Sequence, residues 1–545
     1  MVFKKIQTIL LGIPLLVVSC GTAPQLQPGG GFTGQTVKPQ EVSHPQAFYH
    51  FLQGYLAEIN SEGLKALKEY QQGLRFDPNS SFLKFRIAKL HFLAGETDKA
   101  VAVAREISLE QVAQGTTLLD LAKIFAGGGE SSLALRALEV GTRRFPHDES
   151  LILAQGNLLL NMKKYAQAED VFTGFLQQQP GSAESHYYLG MIAQETKNPQ
   201  EAGNHYQEAI KVNSAFERAY IKLIALWESE KESQRAIALL EQYLKEVNPH
   251  HREFRLRLVR LYVLEHQSEK GLAHLDRLLQ QHPDDLHAHV RKAQIYGEMK
   301  NYPAAVQELK DVLQARPNEL RVRDFLGLLY EEMKEYDKAI ETYQANVKID
   351  PTFFESILHL GFVSYRLKRN EEAISYLEQA VKLNPKRTES YLLFGLTYFQ
   401  MEDYQNAKAK LEEGLTHDPS NAELHFNLGT TWDKLNRFDE VVREMERTLA
   451  LDPEHADALN YLGYSYADRG VKIEEALDLT KRAVALKPQN GYYVDSLGWA
   501  LYKLGRVDEA LETMQRAAAL VSDDPVIYEH LGEIFLLRDE RDKAR

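Results

Sequence analysis

Cysteine occurs once in this chain of 545 residues, tryptophan three times and methionine eight times. A lone thiol excludes an intramolecular disulfide framework, and a cysteine-based metal site needs at least one more. No His-Glu-x-x-His, Gly-x-Ser-x-Gly or phosphate-binding loop is present, which removes the usual signatures of zinc hydrolases, serine hydrolases and nucleotide-binding enzymes. Long apolar runs are missing too. The stretch from Ile6 to Val18 is interrupted by Gln7, Thr8, Gly12 and Pro14 and falls short of the ~20 residues that a membrane-spanning helix needs. Positive charge is in deficit, 64 Lys and Arg against 77 Asp and Glu for a net charge of −13, which argues against a sequence-independent grip on nucleic-acid phosphates. Carboxylates are plentiful on every helical stretch, so paired ones say nothing about catalysis. Histidines crowd between His250 and His289, yet His287 and His289 stand two apart on a helix and face different ways; they read as surface or groove residues. The chain is therefore expected to be no enzyme and to carry no metal and no cofactor.

What is present begins at the N-terminus. Lys4 and Lys5 precede the interrupted apolar run, a pattern that reads as a secretory signal peptide. Val17-Val18-Ser19 leads directly into Cys20 and resembles a bacterial lipobox. That resemblance implies a signal peptide over residues 1–19, cleavage before Cys20, and lipidation of Cys20 with acyl chains such as palmitate. A free thiol is a liability in an oxidising compartment, whereas a lipidated one is chemically consumed. Residues 20–43 are rich in Gly, Pro, Gln and Thr and bury too little to order themselves, as expected of a flexible tether. Gly21, where an Asp would commonly retain a proteobacterial lipoprotein in the inner membrane, implies the outer membrane, with the body facing the periplasm.

The remaining residues, 44–545, are governed by a repeat. Gly327, Gly361, Gly395, Gly429 and Gly463 are 34 residues apart, and Pro317, Pro351, Pro385, Pro419 and Pro453 keep the same step. In "FESILHLGFVSYRLKRNEEAISYLEQAVKLNP", residues 354–385, Leu360, Gly361 and Leu367 lie on a first helix. Ala373, Tyr376, Leu377 and Ala380 mark one face of a second, and Pro385 closes it. Small residues at Gly361 and Ala373 let two antiparallel helices approach closely. The pattern continues N-terminally through Gly54, Ala66 and Pro78 and through Gly156, Ala168 and Pro180. It resembles the tetratricopeptide repeat, which implies an all-α, right-handed superhelical solenoid of about fourteen units and part of another. Two irregularities stand out. "AGGGE", residues 126–130, falls at the turn between two helices of one unit and is expected to be a loose turn. "ADRGVKIEEA", residues 467–476, is one residue longer than its counterparts and is expected to let that unit bend differently.

The last units carry a more particular resemblance. "ALNYLGYSYADRG", residues 458–470, and "NGYYVDSLGWALYKLGR", residues 490–506, are similar to the tail of proteobacterial tetratricopeptide lipoproteins, in particular the adaptor of a periplasmic carboxyl-terminal processing protease. This implies a non-catalytic outer-membrane scaffold that recruits the protease together with substrates such as peptidoglycan hydrolases. The alternative implied is an assembly factor for an envelope export machine handling exopolysaccharide, a secretin or a pilus. In this repeat class the first helices line the inner, concave surface. The inward stripe then contains Leu358, Phe362 and Tyr365, then Leu392, Leu396 and Phe399, then Phe426, and then Tyr464, Trp499 and Tyr502, with Asn460 and Asp495 as polar groups able to hold a peptide. Arrays usually end in a polar cap; the last unit here lacks its second helix, so its apolar face is expected to be finished by more chain or by another molecule.

Overall fold

A computed structural model describes residues 44–540 and 542–544; the signal-peptide, Cys20 and tether readings lie outside the described residues. Among the described residues there are 29 α-helices, one short 3-10 helix and no strand. They fall into two compact bodies that divide between Gln281 and His282.

In the first body the helices are α1 (Pro45–Ile59), α2 (Gly63–Phe76), α3 (Ser81–Leu93), α4 (Thr97–Arg105), α5 (Gly115–Gly127), α6 (Ser131–Arg144) and α7 (Glu149–Asn161). They continue with α8 (Tyr165–Gln178), α9 (Ala183–Glu195), α10 (Pro199–Val212), α11 (Glu217–Ser229), α12 (Ser233–Glu246), α13 (Arg252–Leu264) and α14 (Ser268–Gln281). The second body holds α15 (Leu286–Glu298), α16 (Tyr302–Ala315), α17 (Leu320–Glu332), α18 (Tyr336–Ile349), α19 (Phe354–Arg366), α20 (Asn370–Leu383), α21 (Thr388–Gln400) and α22 (Tyr404–His417). It ends with α23 (Ala422–Lys434), α24 (Phe438–Leu451), α25 (Ala456–Arg469), α26 (Ile473–Leu486), α27 (Gly491–Lys503), α28 (Val507–Leu520) and α29 (Pro525–Leu537). Odd-numbered helices are the first of a unit and even-numbered ones the second, giving fourteen complete pairs and α29 alone. Each pair packs as an antiparallel hairpin, and neighbouring hairpins stack within their body, so each body is a helical-repeat solenoid.

Local chemistry starts and stops these helices. Ser80, Asp148, Ser182, Asn421 and Asn490 accept hydrogen bonds from backbone N–H groups in the first turn of α3, α7, α9, α23 and α27, satisfying donors that a helix leaves unpaired. Between the two helices of a unit the chain reverses through a left-handed residue, recurring at Lys163, Lys197, Lys231, His266, Lys300, Lys334 and Lys368. The longer turn of 467–476 needs two such residues, Gly470 (φ 68°) and Lys472 (φ 46°).

Inside each hairpin the glycine of the first helix receives a large side chain of the second. A Cβ on Gly327 would lie 2.3 Å from Tyr343, one on Gly156 2.1 Å from Phe172, and one on Gly395 2.6 Å from Leu411. Tyr343, Phe172 and Leu411 are all buried. The repeat's glycine is thus a packing requirement, one helix's missing Cβ making room for its partner's ring or branch. The same logic corrects one expectation. "AGGGE" is a tight turn: a Cβ on Gly127 would sit 2.7 Å from Phe92 and one on Gly128 2.4 Å from Val101, while Gly129 takes φ 77°.

Candidate protein-binding groove

The stripe expected to bind a partner lies wholly in the second body, on the first helices α19, α21, α23, α25 and α27. On one helix its members are spaced by four and three residues, as in Leu358, Phe362 and Tyr365, so they project from one side. The structure divides them into two sets. Leu358, Phe362 and Leu392 are buried among neighbouring helices. Tyr365, Leu396, Phe399, Phe426, Asn460, Tyr464 and Tyr502 are half-buried and keep surface for contact. Their rings also pack on neighbours: Phe426 lies 4.9 Å from His455, and Phe399 meets Tyr404 edge-on at 5.3 Å. Burial raises Tyr464 to about 12, with Asp468 and Asp495 adding to it, so its hydroxyl stays protonated and able to donate. Asn460 Oδ1 is buried and has no hydrogen-bond partner among the described residues.

Two further members, Trp499 and Asp495, are buried as well, and what covers them is α29. Trp499, 4% exposed, stacks on His530 of α29 with ring centroids 4.0 Å apart and on Tyr502 at 5.0 Å. Asp495 Oδ1 sits 2.9 Å from His530 Nδ1. Both side chains are therefore engaged in seating α29 on α27. Helical spacing placed them on one side of α27; it carried no information about which helix would cover that side.

Sequence reasoning also missed how histidines are used. His289 is no free surface residue: Nδ1 lies 2.7 Å from Glu308 and Nε2 3.0 Å from the Pro283 carbonyl oxygen. His425 repeats this with Glu444 at 2.6 Å and Pro419 at 3.1 Å. His50 pairs with Glu69 at 2.8 Å in the first body. Each pair is 19 residues apart, a spacing that was readable once the repeat frame was known. Among the described residues no cluster of three or more His, Cys, Asp or Glu is arranged to hold a metal ion.

One buried polar cluster was invisible in the sequence. His359, 2% exposed, lies 3.7 Å from Asp324 and 3.5 Å from Glu331 and stacks on Tyr343 at 5.0 Å. The Tyr343 hydroxyl donates to Glu331 Oε1 at 2.5 Å, and Ser356 Oγ donates to Asp324 Oδ1 at 2.6 Å. Burial pushes the Glu331 carboxyl up to about 7, with His359 opposing the rise. These groups are packed into the join between α17, α18 and α19.

Repeated helical hairpins presenting half-buried aromatics on their first helices define a protein–protein interaction scaffold, a class that is generally non-catalytic. Profiles described as "Tetratricopeptide repeat" match residues 229–295, 263–329 and 398–463, residues 153–217 and 496–545, and residues 320–353 and 354–387, together more than half of the chain. The chain belongs to the tetratricopeptide-repeat proteins. It is 38% identical over 76 residues to "TPR repeat-containing protein PA4667" of Pseudomonas aeruginosa, a match covering 14% of this chain and 13% of that relative. Among solved structures it is similar to "Crystal structure of APC/C hetero-tetramer Cut9-Hcn1", with TM-score 0.39, 14% identity, and coverage of 90% of this chain and 96% of that one. It is also similar to "Structure of Naa15/Naa10 bound to HypK-THB", with TM-score 0.39, 19% identity, and coverage of 79% and 67%. No helix among the described residues is long and apolar enough to cross a membrane.

Proposed function

We propose that this chain is an outer-membrane lipoprotein adaptor that uses the second body to collect a periplasmic carboxyl-terminal processing protease and its substrates, cell-wall hydrolases among them. The observation that carries the reading is the set of half-buried aromatics, Tyr365, Phe399, Phe426, Tyr464 and Tyr502, on successive first helices. Rigid aromatic side chains with part of their surface in water are the groups that most often anchor a protein partner. The lipobox-like segment ending in Cys20, the chain's sole cysteine, and the tail segments 458–470 and 490–506 support the anchoring and the adaptor role.

Copurification from detergent-solubilised envelopes, followed by mass spectrometry, tests the partner. A periplasmic protease in the eluate supports the adaptor; secretin or polysaccharide-export subunits in its place would make the chain an assembly factor for an export machine. Fractionation of Cys20→Ser tests the anchor: it is expected to leave the membrane fraction, and retention at the level of the unaltered protein refutes lipidation.

A further inference from the structure

The first body carries a feature that the adaptor reading does not use. A cleft of about 650 Å³ opens beside α12, α13 and α14, and its lining includes Lys245, Arg255, Lys270, His274 and Arg277 against one carboxylate, Glu241. The Tyr262 hydroxyl donates to Glu241.

The units themselves provide the comparison. At the places equivalent to Arg255 and His274, 19 residues apart, other units hold a basic side chain and its carboxylate: His50 with Glu69, His289 with Glu308, and His425 with Glu444. In each of these the charge that the basic group can carry is matched internally. His186 and His205 stand at the same two places in another unit, 3.4 Å apart, and burial lowers both, so no charge is stranded there. Arg255 keeps the contact to the preceding proline, its guanidinium donating to the Pro249 carbonyl oxygen as Arg323 does to that of Pro317; Arg323, with Thr342 nineteen residues on, also has no carboxylate there but donates to the Asn346 amide oxygen at 3.0 Å.

Where the carboxylate belongs, Arg255 meets the ring of His274, with Nη1 3.2 Å from Nδ1. Arg255 is 4% exposed, and its Nε has no hydrogen-bond partner among the described residues. A guanidinium does not lose its charge under ordinary conditions, so this one is buried facing a neutral partner. His274 is held neutral: burial, reinforced by Arg255 and Arg277, lowers it to about 4. Its Nδ1 accepts from Arg255, which leaves its proton on Nε2 as one more donor.

From the missing carboxylate, the buried Arg255 and the cations around it, we infer that the cleft between α12 and α14 is a binding site for a phosphate-class oxyanion. A single carboxylate, the group three other units supply internally, would leave the surrounding Lys245, Lys270 and Arg277 unmatched. A phosphoryl group brings nearly two negative charges and three acceptor oxygens, and arginine is the side chain best suited to hold it. The cleft is built from residues that the peptide-binding reading leaves idle.

Isothermal titration of the full chain with inorganic phosphate, at constant ionic strength with chloride as the balancing anion, tests the inference. A second arm uses vesicles of phosphatidic acid in phosphatidylcholine, whose phosphomonoester head offers the same group, which separates a free ion from a lipid headgroup. His274→Glu restores the internal carboxylate and is expected to weaken binding at least tenfold while raising thermal stability. Arg277→Gln, at an exposed position, leaves folding intact by circular dichroism and is expected to weaken binding about fivefold. Saturable binding in either arm that His274→Glu or Arg277→Gln weakens supports the site. Absence of saturable binding in both arms, or affinities unchanged in both variants, overturns it.

Discussion

Enlarging Gly395 probes whether the chain behaves as stacked, semi-independent units. A Cβ there would lie 2.6 Å from both Cγ and Cδ2 of Leu411 on α22, and Leu411 is 1% exposed. Ordinary carbon contacts are ~3.5–4.0 Å, so even alanine arrives about 1 Å too close, and Cγ is not the free end of a side chain that swings aside. Two effects oppose each other. Removing a mid-helix glycine favours the helix by about 0.5–1 kcal/mol, while overpacking a filled core costs about 1–3 kcal/mol. Gly395→Ala is therefore expected to destabilise by roughly 1 kcal/mol, and Gly395→Leu, with three more heavy atoms, by about 3 kcal/mol. Pairing Gly395→Ala with Leu411→Ala removes the clash, so the double variant should be more stable than the two single losses summed, by about 1 kcal/mol. Hydrogen exchange read by mass spectrometry locates the loss. Amides of α21, α22 and the hairpins stacked on them should lose protection first, while those of α1 and α2 around Gly54 keep theirs, because each unit's energy is shared mainly with its neighbours. Uniform loosening along the chain, or a Gly395→Leu variant as stable as the parent, would refute the reasoning.

The remaining expectations follow from burial, charge and backbone. Burial raises Glu331, which faces Asp324, His359 and Glu332, to about 7; the folded chain thus keeps a proton that the unfolded chain has already released. Its contribution to stability is full below the ordinary carboxylate range and is lost as pH rises through about 7. Glu331→Gln keeps an acceptor for the Tyr343 hydroxyl and removes the charge, so urea titrations from about pH 5 to about pH 8 should show a flatter stability profile than the parent; an unchanged slope refutes this. Trp499→Ala strips a buried ring from beneath α29 and is expected to cost about 3–5 kcal/mol, seen as lost protection in α27 and α29. Tyr464→Ala, at a half-buried ring, should leave the fold intact by circular dichroism yet weaken capture of the purified partner by about 2 kcal/mol; full binding by folded Tyr464→Ala would move the contact off α25. Lys368 holds φ 57°, a conformation that costs an ordinary residue about 1–2 kcal/mol. After allowing for glycine's greater unfolded-state freedom, Lys368→Gly should raise the melting temperature slightly, and a lowered one would contradict the account of the turn.

The architecture was legible because it is periodic. A glycine and a proline every 34 residues, with small and apolar residues between them at helical spacing, report contacts that are local in sequence, and repeating them leaves few ways to fold. The same periodicity assigned Leu358, Phe362 and Tyr365 to one side of α19, since side-chain direction along a helix depends only on the helix. Tertiary structure decided what covers each side. His530 lies 35 residues from Asp495, and its arrival turned Asp495 and Trp499 from candidate ligand contacts into the seat of α29. Burial of Glu331 beside His359 depended likewise on three helices closing together, and so did the stranding of Arg255 opposite His274. A residue's direction is set by its own backbone; its exposure, charge and partners are set by whichever element packs against it, and no single segment of sequence encodes that meeting.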